Sequence, residues 1–545
     1  MAPLSTSPPP PSVNLNHSTT NPQILTGKTI FHGQPSAATP GVPKCSFFGR
    51  IPYAQAPIGE LRFRRPRPLP DDFNYANYGG APGRPGDYSD PCLACTQAPA
   101  PWAGAPTLQT TEDCLRLNIW VPLGSCPPHG WPVLFYLHGG FLQYGGPSQD
   151  DPSAFIAAGG VTECVVVAPA YRLGILGFLA SREVCGQVSE RSANFGLWDQ
   201  RAALEWTARH VGAFGGDAGN ITVAGMSSGA YSAFHQLAYD LRQPKEERLV
   251  RRVVQWSNGC GVQPKAVFEL QEQFKEVMDA LSVVNPNASA VFALDALREK
   301  TAEELVGTVS KITQKFFRPV TDGSFIVGDT IERLKDGRMT KAMKEGDVSI
   351  MIGDVASEAS VYATMYPPQS WKGMVERLSW DYPQAVVETI CSRYKSSWKM
   401  AGGWTPTFGK VYAKMQVYAA SRGQIDSLVK SGLPHSNVYR YSIEYRSDAS
   451  PMSKIMGSTH GTDLAIWFLG NGKDIKSNEK EIMKTWLKPL GLFIRGEKSK
   501  AMQWGTTNAK QVRTLTISGD IKVKEDSIWE KSLEFWNAMQ SRDIK

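Results

Sequence analysis

Ile221-Thr222-Val223-Ala224-Gly225-Met226-Ser227-Ser228-Gly229-Ala230-Tyr231 reads as strand, sharp turn and helix. Ile221 to Ala224 is a short β-favouring apolar run. Gly225 to Gly229 then fits G-x-S-x-G, and Ala230 to Ala238 continues as an alanine- and aromatic-containing helix. A nucleophilic serine benefits from such a turn. The bend lifts the Ser227 hydroxyl clear of the backbone, and the following helix offers free N–H groups and a positive dipole end to a developing oxyanion. The two glycines remove Cβ atoms that would clash in the bend. The five-residue pattern also arises by chance around surface serines, so its meaning depends on the strand–helix context and on partners elsewhere.

Strands flank the stretch on both sides. Upstream, Leu115, Leu117, Ile119 and Val121 alternate as in a half-buried strand. Pro132 to Leu137 is continuously apolar, as a buried parallel strand reads, and ends in His138-Gly139-Gly140-Phe141. Cys164 to Ala168 is a second such run. Downstream, Arg252 to Ser257, Val348 to Gly353, Val438 to Tyr445 and Val512 to Ile517 read as further strands, with helical patterns such as Asp199 to Val211 and Lys265 to Ala280 between them. Alternation of strand and helix predicts an α/β fold with a mostly parallel central sheet and helices on both faces. Segments 259–347 and 359–435 are expected to build helical cap insertions over the strand ends.

The 545 residues are 42% hydrophobic and 20% charged, an ordinary globular balance. The net charge of +7 is scattered, with a mild basic excess between Lys473 and Lys500 mixed with Glu. That is a solvated face and not a nucleic-acid surface. No run has transmembrane length, and the N-terminus has no basic or apolar signal region. Residues 1–24, rich in Pro, Ser, Thr and Asn, are expected to be a disordered tail. The expected location is cytoplasmic, or secreted if a signal sequence has been removed. Nine cysteines in so long a chain do not make a disulfide scaffold. Cys92-Leu-Ala-Cys95 lies in a Pro/Gly-rich loop, the wrong context for redox chemistry. There is no zinc spacing, P-loop or repeat.

Eight histidines are available as a base. His460 alone sits in a long Gly/Ser/Thr loop late in the chain, although residue types by themselves leave that choice open.

Several ordered motifs extend the pattern over residues 25 to 540: Phe48 to Phe63, Thr111 to Leu117, Ala170 to Phe178, Asn194 to Gln200, Phe214 to Asp217 and the Ser227 turn. Together they resemble the type-B carboxylesterases, the cholinesterase-like family of the α/β-hydrolase superfamily, in a fungal-type form. The resemblance implies one catalytic domain over 25–545. It places the family's acid at Glu358, in Gly353-Asp354-Val355-Ala356-Ser357-Glu358, with Asp354 the alternative on chemistry alone. It places the family's histidine at His460, in Gly457-Ser458-Thr459-His460-Gly461-Thr462-Asp463. An oxyanion hole would come from Gly139, Gly140, Phe141 and Ser228, and a disulfide would join Cys95 to Cys114.

Three residues depart from the family pattern. Met226 and Ser228 stand where Glu and Ala are usual, and Met226 is expected to point away from the pocket. Phe141 replaces a third glycine and adds bulk beside the pocket. The implied activity is a serine carboxylic-ester hydrolase acting on a small-molecule ester, in the manner of a metabolite-tailoring enzyme. It would need no metal and no cofactor and would pass through an acyl-enzyme. An acyltransferase or lactone-forming enzyme would share that intermediate. A non-catalytic cholinesterase-like binding protein would usually lack one of Ser227, Glu358 and His460. Oligomeric state is left open.

Overall fold

The apolar runs form a single eleven-stranded sheet in the computed structural model, which describes residues 10–15, 22–32, 41–79, 83–102, 107–186, 190, 192–283, 290–394, 403–498 and 503–541. In chain order the strands are β1 Lys28–His32, β2 Val42–Pro52, β3 Arg116–Pro122, β4 Trp131–Leu137, β5 Val165–Pro169 and β6 Gly216–Met226. There follow β7 Val250–Trp256, β8 Ser349–Val355, β9 Val438–Ile443, β10 Gln511–Leu515 and β11 Ile521–Glu525. Their spatial order is β1-β2-β3-β5-β4-β6-β7-β8-β9-β10-β11. From β5 across to β10 every neighbouring pair is parallel, and the outer pairs are antiparallel.

The parallel centre is buried on both faces, which is why β4 and β8 carry no exposed residue. Side chains alternate between two apolar layers. Val133, Phe135, Val223, Val253 and Ile350 pack with Leu204 of helix Phe195–His210 and Phe234 of helix Ser228–Asp240. Leu134, Tyr136, Ala224, Met226, Trp256 and Met351 pack on the other face with Met483, Leu487 and Leu490 of helix Ser477–Ile494. Each such side chain contributes roughly 1.5–3 kcal/mol by leaving water. Helical insertions lie between β7 and β8 and between β8 and β9. The second includes helices Trp404–Ala413 and Ala419–Lys430, joined by a π-helical turn at Lys414–Tyr418.

Local departures from the sequence reading have local causes. Part of the expected tail is ordered: Ser12–Asn14 pairs antiparallel with Ile24–Thr26, and Leu15 and Leu25 are buried. The apolar residues among the prolines and serines supply that anchor. Residues 1–9 and 16–21 lie outside the described residues. The helix expected from Asp199 begins at Phe195, because Asn194 adopts φ 57° and turns the chain there. The helix expected from Lys265 begins at Gln271, after a 3-10 turn at Val267–Leu270 whose start Glu269 caps. Strand β11 lacked an apolar signal, since Lys522, Val523 and Glu525 are exposed along it. Charged edge strands of this kind resist pairing with other chains.

Candidate active site

The centre is built first from backbone. Strand β6 ends at Met226, and Ser227 takes φ 57° and ψ −121° before helix Ser228–Asp240 begins. Such a backbone costs of order 1–3 kcal/mol and persists only where its surroundings enforce it. Here two glycines leave room for the turn. A Cβ on Gly225 would stand 2.2 Å from the Gly229 carbonyl carbon, and one on Gly229 would stand 2.0 Å from Leu137 O. The Ser227 N–H donates to Trp256 O of β7 at 2.8 Å, while Ala230 and Tyr231 donate to Ser227 O. Met226 points to the opposite face, into the layer with Trp256.

Two loops then meet above the sheet. Ser357, just past β8, bridges to Thr459, and its N–H donates to Ser458 O at 3.0 Å. The Ser458 hydroxyl donates to Ile443 O at the end of β9. This docking sets His460 between its neighbours. Its Nε2 lies 2.7 Å from Ser227 Oγ, and its Nδ1 lies 2.5 Å from Glu358 Oε2. Glu358 is fully buried and its second oxygen accepts the Val355 N–H at 3.0 Å. The backbone N–H of Glu358 donates to the Tyr418 hydroxyl at 3.0 Å. Tyr362 packs its ring on the His460 imidazole. Asp354, the alternative acid, is instead ion-paired with Arg422.

The glycine-rich turn after β4 faces the same point. A Cβ on Gly139 would lie 3.3 Å from Ser227 Cβ, so the turn backs directly onto the serine. Gly140, Phe141 and Leu142 have φ of 111°, 62° and 62°. Among the described residues the N–H groups of Gly140, Phe141 and Ser228 have no hydrogen-bond acceptor. The carbonyl side of the turn is tied down. Phe141 O accepts from Gln143 Nε2 at 3.2 Å and from Arg318 Nη1 at 2.8 Å. Leu142 N–H donates to Ser228 Oγ at 3.2 Å.

Asp463 lies on the same loop as His460, wholly buried. Its Oδ2 accepts the Trp467 indole N–H at 2.7 Å, and its Oδ1 has no partner. Burial, reinforced by the nearby Glu358 charge, pushes its carboxyl up to about 7. His138 stacks on Tyr171 and is held neutral by burial, at about 4.

Ser227 opens into a narrow cavity of about 50 Å³, bounded by Phe141, Tyr362, Arg318, Asp381, Tyr382 and Gln416. A larger hollow of about 430 Å³ lies at the surface beside Arg50, Tyr78 and Arg116 and touches none of these residues. Cys95 and Cys114 are bonded, with Cα atoms 5.0 Å apart. Among the described residues no group of three or more His, Cys, Asp or Glu is placed to hold a metal ion, and no helix is long and apolar enough to cross a membrane.

The model of the carboxylesterase family matches residues 21–536. The chain belongs to the carboxylesterase family. It is 38% identical over 517 residues to a carboxylic ester hydrolase of Gibberella moniliformis, covering 92% of this chain and 93% of that one. It is 35% identical over 530 residues to an uncharacterised esterase/lipase of Schizosaccharomyces pombe, covering 94% and 95%. The crystal structure of Aspergillus niger EstA superposes with a TM-score of 0.71 at 20% identity, over 97% of this chain and 98% of that one. The protein is an ester-hydrolysing enzyme with the α/β-hydrolase fold.

Within this carboxylesterase frame the structure brings together every residue that sequence reasoning placed at the site: Ser227, Glu358, His460, Gly139, Gly140, Phe141 and Ser228. It adds Arg318, Tyr418 and Asp463, which sequence reasoning did not place there. Only Asp463 had a usable signal, its position three residues after His460. The Ser228 hydroxyl also has a task that the usual alanine could not perform, as acceptor for the Leu142 amide.

Proposed function

We propose that the enzyme cleaves a small carboxylic ester through an acyl-enzyme on Ser227. The observation that carries this reading is the continuous hydrogen-bonded chain Ser227 Oγ–His460 Nε2 and His460 Nδ1–Glu358 Oε2, at 2.7 and 2.5 Å. His460 accepts the Ser227 proton as Oγ attacks the ester carbonyl. Glu358 holds the imidazole in the tautomer that can accept and stabilises its charged form. The unsatisfied N–H groups of Gly140, Phe141 and Ser228 receive the oxyanion, which they bind with no reorganisation because Gln143, Arg318 and Ser228 already fix the turn. His460 then protonates the departing alcohol, and water repeats the sequence on the acyl group, regenerating Ser227.

Fluorophosphonate labelling tests this. Intact mass and peptide mapping should give one adduct, on Ser227, alongside turnover of p-nitrophenyl acetate and butyrate. Both should vanish in Ser227→Ala and in His460→Ala. Turnover that survives Ser227→Ala would rule the nucleophile out.

A further inference from the structure

The wall of the Ser227 cavity contains a charge imbalance. Among the described residues lining it, Arg318 and Asp381 are the charged ones. Asp381 is shared. Its Oδ1 accepts from Arg318 Nε at 2.5 Å and its Oδ2 from Arg377 Nη1 at 2.5 Å. One buried carboxylate therefore serves two guanidinium groups, and one positive charge is left over. Arg377 is sealed between Phe316, Trp380 and Tyr412, whereas Arg318 keeps 15% of its side chain exposed on the cavity.

Among the described residues, no carboxylate packed around the pair is free to offset that charge. Lys265, also buried, donates to the Ser379 and Trp380 carbonyls and brings a further cation toward Asp381. Glu269 is taken up by the Ala266 amide. Glu358 is taken up by His460 and the Val355 amide. Arg318 itself uses three of its five N–H groups, on Asp381, Phe141 O and the Tyr412 hydroxyl. Asp381 balances only one of the two buried guanidinium charges, an excess that is costly away from water, and a guanidinium with N–H groups to spare matches a carboxylate in shape and charge.

We propose that Arg318 recognises an ionised carboxylate carried by the ester substrate, so that the enzyme acts on esters bearing a second, free carboxyl group. The proposal rests on Ser227 being the nucleophile, since it takes the Ser227 cavity as the substrate site. It specifies the substrate as anionic, and the carboxylate can sit on the acyl or the alcohol side of the scissile bond.

Matched ester pairs test both sides by pH-stat. Monomethyl succinate is compared with methyl butyrate, and monomethyl adipate with methyl hexanoate, for the acyl side. Acetoxyacetate is compared with ethyl acetate for the alcohol side. One charge-assisted hydrogen bond predicts that wild-type kcat/KM favours the charged member of at least one pair by about 10- to 100-fold. In Arg318→Met that ratio should fall to about one or below, mainly through KM, while Arg318→Lys should keep part of it. A purely structural Arg318, needed only to hold Phe141 O, would lower both members of every pair equally. That result overturns the proposal. So does a wild-type preference for the neutral member of all pairs, which needs no variant to fold. Ser227→Ala on the same esters separates the two readings. Hydrolysis that survives it removes the nucleophile assignment, whereas its loss together with a neutral-ester preference removes only the role of Arg318.

Discussion

Replacing Glu358 by Gln is the most demanding test of the site. The carboxylate is fully buried, lies 2.5 Å from His460 Nδ1, and has its other oxygen on the Val355 amide. Glutamine keeps the shape and can still accept the Val355 N–H. On the proposed mechanism it removes the negative charge that faces the imidazolium formed in the transition state. It also turns an amide N–H₂ toward Nδ1, which favours the His460 tautomer protonated at Nε2, the one that cannot accept from Ser227. Leaving a buried charge without its partner costs about 3–5 kcal/mol, which is a fall in kcat of roughly 10²- to 10⁴-fold. The assay is steady-state p-nitrophenyl acetate hydrolysis on protein whose thermal transition is unchanged, with Asp354→Asn as control. Asp354 pairs with Arg422, so its neutralisation should lower the melting temperature and leave kcat within a few-fold. A Glu358→Gln enzyme within tenfold of wild type, or an Asp354→Asn enzyme that loses more activity than it, would refute the assignment of Glu358.

Other expectations follow from the same geometry. Ser228→Ala removes the acceptor of the Leu142 amide, about 0.5–1.5 kcal/mol of support for the oxyanion turn, so kcat should drop roughly 2- to 10-fold with KM little changed. Asp463, at about 7 in the folded protein against 3.8 ordinarily, binds its proton more tightly folded than unfolded. It therefore costs no stability below about pH 4, where both states are protonated, and its penalty grows between about pH 4 and pH 7 and then levels off. Asp463→Asn should accordingly raise the melting temperature by an amount that increases over that window; a difference flat across pH would contradict this. Phe141 closes one side of a cavity of about 50 Å³, so tert-butyl esters should be turned over poorly, and Phe141→Gly, which suits the φ of 62°, should improve them relative to ethyl esters. Efficient tert-butyl ester hydrolysis by the unaltered enzyme would count against that role.

What could be read from sequence was whatever carries its signal locally. The buried parallel strands announce themselves as unbroken apolar runs, and the Ser227 turn announces itself through glycines at positions 225 and 229, where any Cβ collides with backbone. Chemistry alone does not separate Asp354 from Glu358, and only the family resemblance favours Glu358. The residue that separates them is Arg422, 68 positions beyond Asp354, which claims it and leaves Glu358 for His460. Arg318 and Tyr418 sit in the insertions, and nothing near them in sequence indicates that one reaches Phe141 O and the other the Glu358 amide. Aromatic residues give no such local signal: Phe316, Tyr144 and Trp102 pack in or against the core and line no part of the Ser227 cavity, whereas Phe141 and Tyr362 line it. Strand β11 escaped notice because an edge strand protected by lysines looks like loop.

The meeting of the Ser357 and Thr459 loops has a kinetic consequence. Ser227 and His460 are 233 residues apart in the chain, and Glu358 and His460 are 102 apart. Contacts of such separation form only after the intervening chain has been gathered in, and loop closure makes them slow. On the proposed mechanism, hydrolytic competence therefore requires β8 and β9 to have docked beside the strand that carries the serine. On the same mechanism, a chain still emerging during synthesis, or one stalled before its C-terminal third has packed, would hold a serine of ordinary reactivity. In refolding, recovery of esterase activity should lag behind recovery of helical signal and of buried tryptophan fluorescence, which makes turnover a reporter of completed assembly.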